Sequence, residues 1–63
     1  MPPPSDLQRL IHRLTNQLGV ILANAELLEA KAPDDATRRR AGQVVAKALE
    51  AIETANEIRQ SIG

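Results

Sequence analysis

His12 is the only histidine in the chain, Arg13 stands beside it, and Asn16 follows one helical turn later. A neutral imidazole leaves one ring nitrogen free as a nucleophile, and histidine is mostly neutral at neutral pH. On an exposed helix face it could attack an electrophile. Arg13 cannot act as a base, because a guanidinium has donors and no acceptor, but it could pair with an incoming anion. Other site chemistries have little support. Cysteine is absent, which removes disulfides and thiolate metal sites, and one histidine argues against structural zinc. No Gly-rich or P-loop pattern for nucleotide phosphates appears, so no cofactor is expected and the chain is not by itself a kinase.

Two helices are predicted to position these residues. Ser5 reads as an N-cap, Gln8 can close a capping box with it, and Asp6 suits the positive end of the helix dipole. Leu7, Ile11, Leu14, Leu18, Ile21, Ala25 and Leu28 then alternate spacings of four and three, the pattern of a coiled-coil seam. Leu10 and Leu22 widen it, as expected of a helix with more than one helical neighbour. Gly19 costs the helix about 1 kcal/mol relative to Ala, which calls for close packing, a tolerated defect, or a bare surface beside His12 and Asn16.

Periodicity stops at Lys31-Ala32-Pro33-Asp34-Asp35, where Pro33 disfavours helix at Ala32 and Asp34 or Asp35 can cap a second helix. Helix 2 carries Ala41, Val44, Val45, Ala48, Leu49, Ile52, Ala55, Ile58 and Ile62, again at threes and fours. Arg38, Arg39 and Arg40 read as a solvated face. The predicted layout is an extended Pro-rich segment at 1–5 and a two-helix domain at 6–63, with helix 1 over about 6–30, a connection over about 31–34 and helix 2 over about 35–62.

The chain has 63 residues, eight basic and eight acidic, and no aromatic side chain. A domain of this size buries only about 60% of its unfolded surface and needs further support. With disulfides and metals set aside, association is what remains. The expected fold is all-α: an antiparallel helical hairpin that pairs into a homodimeric four-helix bundle. Balanced charge and the lack of stacking residues argue against nucleic acid. The longest apolar run, Val20 to Ala23, is too short to span a membrane. The Met1-Pro2-Pro3-Pro4 start lacks the basic and apolar regions of a signal peptide, so a cytoplasmic location is expected.

At 100° per residue His12 lies about 150° from the middle of the seam, with Asn16 on the same face and Gly19, Val20, Ala23 and Leu27 continuing it. An apolar strip below an exposed histidine suggests a protein docking surface. The stretch from His12 to Leu28, a histidine with Asn four residues on and an apolar run ending in Asn24-Ala25-Glu26-Leu27-Leu28, resembles the phosphoacceptor box of the dimerisation and histidine-phosphotransfer domain of two-component sensor histidine kinases. The resemblance extends from about Leu7 to Ile62 and is generic in helix 2.

It implies that His12 accepts a phosphoryl group and exchanges it with an aspartate of a receiver domain, that a separate ATP-binding kinase domain is a further partner, and that Asn16 positions water for receiver dephosphorylation. Arg13, Gly19, Val20, Ala23 and Leu27 fall at the expected partner contacts. Two residues depart from the pattern. Arg13 replaces the usual acidic neighbour, which implies impaired autophosphorylation and leaves open a non-catalytic dimeric adaptor. Gln17 replaces a common proline, which keeps the helix straight.

Overall fold

The computed structural model describes residues 4–62. They form two helices, α1 (Pro4–Lys31) and α2 (Asp35–Ile62), each of 28 residues. Helix α1 begins two residues before the expected Asp6, within the usual scatter of helix ends. Pro4 suits a first turn, where its fixed φ and missing amide carry no penalty. Pro4 and Ser5 lie within α1, so the extended segment expected over 1–5 does not include them. Of the expected extended segment, residues 1–3 lie outside the described residues.

The connection is Ala32-Pro33-Asp34. Its chemistry sets where α2 starts: the Asp34 carboxylate accepts the Thr37 amide at 2.7 Å, an N-cap bond three residues ahead. This bond, together with the Thr37 side chain, holds the Asp34 carboxyl below its ordinary pKa of 3.8. Arg38 is more than part of a solvated tract. Its guanidinium donates to Asp35 at 3.1 Å and to the Ala32 carbonyl at 3.5 Å, tying the connection to the start of α2.

Two columns of residues spaced by sevens form the buried seam of the hairpin. Ile11 and Ala25 are buried on α1 with Leu18 half-buried between them, and Ala41, Ala48 and Ala55 are buried on α2. Counted outward from Pro33, Ala25 is level with Ala41, Leu18 with Ala48, and Ile11 with Ala55. Ile11, Leu18 and Ala25 therefore meet a column of alanines, which lets the helix axes approach closely. The molecule is a rod of 49 × 15 × 14 Å.

The seam is asymmetric. On α1, the residues four after the buried column, Thr15, Leu22 and Glu29, are half-buried, while those three after it, Leu14, Ile21 and Leu28, are 42%, 49% and 61% exposed. Helix α2 follows this in part: Val45 and Ile52 are half-buried and Val44 and Ile58 are 45% and 46% exposed, while the small Ala51 on the open flank is half-buried and Arg59 on the closed one is exposed. Three-residue and four-residue steps lead to opposite flanks of a helix stripe. The hairpin closes along one flank, where Glu29 lies against Gly42, and leaves the other open.

That open flank is a continuous apolar groove. Ile21, Leu28 and Val44 line it beside Ala25 and Ala41, and further along Ile21 and Val44 share it with Leu18 and Ala51. Arg40 and Lys47 stand along this second stretch.

Candidate functional site

His12 follows the buried Ile11 by one residue, and Gly19 and Glu26 follow Leu18 and Ala25 in the same way. A one-residue step turns about 100° toward the closed flank, so the histidine lies on the side of the hairpin away from the groove. Its side chain is exposed, as are Arg13 and Asn16. The Thr15 hydroxyl donates to the His12 carbonyl at 2.8 Å, a bond to the backbone that leaves the ring free. Among the described residues neither the His12 ring nor the Asn16 amide has a hydrogen-bond partner. Both can therefore meet an incoming group.

The expected site residues divide into two groups. Gly19 and Ala23 lie within about 20° of His12 around the helix, about two and three turns below it. A side chain at residue 19 would meet nothing within 4 Å, so close packing inside the hairpin is not what places a glycine there. Val20 and Leu27 lie about 60–80° further round, toward the groove. Val20 lines the groove with Ile21 and Val44, and Leu27 lines a hollow with Leu28, Pro33 and Thr37 at the connection. They are 63% and 57% exposed. Asn24 stands between them, its amide donating to the Val20 carbonyl at 2.9 Å.

Arg13 belongs to a third feature, a notch it shares with Asp6, Arg9 and Leu10. Arg9 pairs with Asp6 at 3.3 Å. No carboxylate pairs with Arg13 among the described residues.

Helix α2 adds residues that the sequence pattern had grouped with the core. Leu49 follows Ala48 as Gly42 follows Ala41, so it lies on the closed, histidine-bearing flank, and it is 48% exposed. A seven-residue phase referred to the alanine column would have separated it from Val45 and Ile52. Among the described residues no group of three His, Cys, Asp or Glu side chains could hold a metal ion, and no helix is long and apolar enough to cross a membrane.

Comparison with protein families, curated proteins and solved structures finds no match to this chain.

Proposed function

We propose that this chain is the phosphoacceptor and dimerisation module of a two-component phosphorelay, in which His12 exchanges a phosphoryl group with an aspartate of a receiver domain. The observation that carries this reading is the separation of the two faces. Large aliphatic side chains line the groove on one side of the hairpin, and the exposed imidazole stands on the other. Two copies that bury their grooves against each other make a four-helix bundle with both histidines outside.

In the exchange a ring nitrogen of His12 attacks phosphorus as the aspartyl oxygen–phosphorus bond breaks, the aspartate leaves as carboxylate, and the N–H proton of the ring passes to water. Incubation with a phosphorylated receiver or a kinase catalytic domain should label wild type and leave His12→Gln unlabelled. No label with such partners, and no receiver binding, would dispose of the proposal.

Arg13 favours a second reading, a dimeric adaptor that binds receiver or kinase domains without phosphotransfer. The base expected beside a phosphoacceptor is absent there. That reading requires partner binding to survive His12→Gln.

A further inference from the structure

Arg9 and Arg13 share one notch with a single carboxylate, Asp6, and Asp6 engages only Arg9. Two guanidiniums against one carboxylate leave the notch one positive charge in excess. They are four residues apart on one helix, so they repel each other unless an anion lies between them. His12 stands at the edge of the notch and does not line it: Arg9, three residues before it, is a surface neighbour with Cβ atoms about 5–6 Å apart, and Arg13 lies about 100° round the helix on the same side as Arg9. Across the hairpin, on the flank that bears His12, α2 presents Asn56, one residue after the buried Ala55, and it accepts from Arg59 at 3.0 Å. Glu53 and Glu57 stand on the outer face of α2 and make no ion pair with Arg9 or Arg13.

We infer that Arg9 and Arg13 form a clamp for the phosphoryl group carried on His12, with Arg9 exchanging its exposed bond to Asp6 for the new dianion. This rests on the reading of His12 as a phosphoacceptor. It gives Arg13 a role suited to a cation where the resemblance implies an acid. The pair does not activate the imidazole for attack; it holds the product. Paired guanidiniums favour the phosphoryl dianion and oppose protonation of the imidazole, the step that makes it a good leaving group. The phosphohistidine should therefore persist, which suits a module that keeps a phosphoryl group until a receiver arrives.

Phosphoramidate tests this without a protein partner. A free imidazole nitrogen bonds to phosphorus, the phosphorus–amine bond breaks with its electron pair leaving on ammonia, and the N–H proton of the ring passes to water. Wild type, Arg9→Gln, Arg13→Gln, the double variant and Arg9→Lys would be labelled, with His12→Gln as control. Phosphorus NMR then follows the pH titration of the bound phosphoryl group and its rate of loss. The titration midpoint should lie lower in wild type than in the double variant, and the double variant should lose the group about three- to tenfold faster, the range for an exposed charge-assisted pair. Arg9→Lys should recover part of the difference. Equal midpoints and equal lifetimes would overturn the clamp, as would failure of His12 to take the label. A clamp found in a protein that exchanges with no receiver would leave this inference standing and remove the phosphorelay.

Discussion

Glu29 lays its carboxylate over Gly42 across the closed flank of the hairpin, where a Cβ on residue 42 would come 3.0 Å from Glu29 Oε2. The neighbour is the free end of a flexible side chain and can move aside. Gly19, the other helical glycine among the described residues, faces open space. Alanine is the better helix former by about 0.8–1 kcal/mol. Gly19→Ala should therefore raise stability by nearly that amount and Gly42→Ala by somewhat less, as read from chemical denaturation. If the bare surface at Gly19 serves a docking partner, Gly19→Ala should also weaken receiver binding while stabilising the fold. Unchanged binding would make Gly19 a tolerated defect.

Asp34 caps α2 through the Thr37 amide, and its pKa is lowered by that bond. A carboxyl whose folded pKa lies below its unfolded value contributes stability above the unfolded value and loses it as pH falls through the folded one. Stability should decline as pH drops below about 4, with part of the decline traceable to Asp34. Asp34→Asn keeps a capping oxygen and should flatten that part of the profile. Asp34→Ala should lower the melting temperature at neutral pH. A pH profile identical in wild type and Asp34→Asn would show that the cap carries none of the acid sensitivity.

The groove predicts its own disruption. Ile21→Asp or Val44→Asp places a charge where a second hairpin would dry it, a change that costs several kcal/mol when the charge stays unpaired. Wild type should sediment as a dimer at micromolar concentration and melt at a temperature that rises with concentration. Either variant should sediment as a monomer and lose much of its helicity. A folded wild-type monomer would contradict the bundle.

The two helices and their connection were legible because threes and fours persist to either side of Pro33. Which flank closes was not. Ile11, Leu18 and Ala25 read as one seam with Leu14, Ile21 and Leu28, yet the first column is covered or partly so and the second stays open. The choice depends on the partner helix: Ala41, Ala48 and Ala55 let the axes close, and Val45 and Ile52 fill one side only. Arg38 carried no local sign of its reach to Ala32, because that bond depends on the path of the turn.

The same phase separates residues below the histidine. Ala23 and Val20 are both exposed and apolar and are three residues apart, but Ala23 shares the side of His12 while Val20 lines the groove. If receivers dock beneath His12 and hairpins pair through the groove, the two positions must respond differently to the same substitution. Ala23→Asp should abolish or strongly weaken receiver binding, in titration calorimetry, while the protein still sediments as a dimer. Val20→Asp should first weaken the dimer, because its carboxylate enters the edge of the surface formed by Ile21 and Val44, and any loss of receiver binding should result from that. Leu27→Asp should leave the dimer closer to wild type, since Leu27 lies beside the connection with Pro33 and Thr37. Equal effects of Ala23→Asp and Val20→Asp on both measurements would mean that one surface serves both partners.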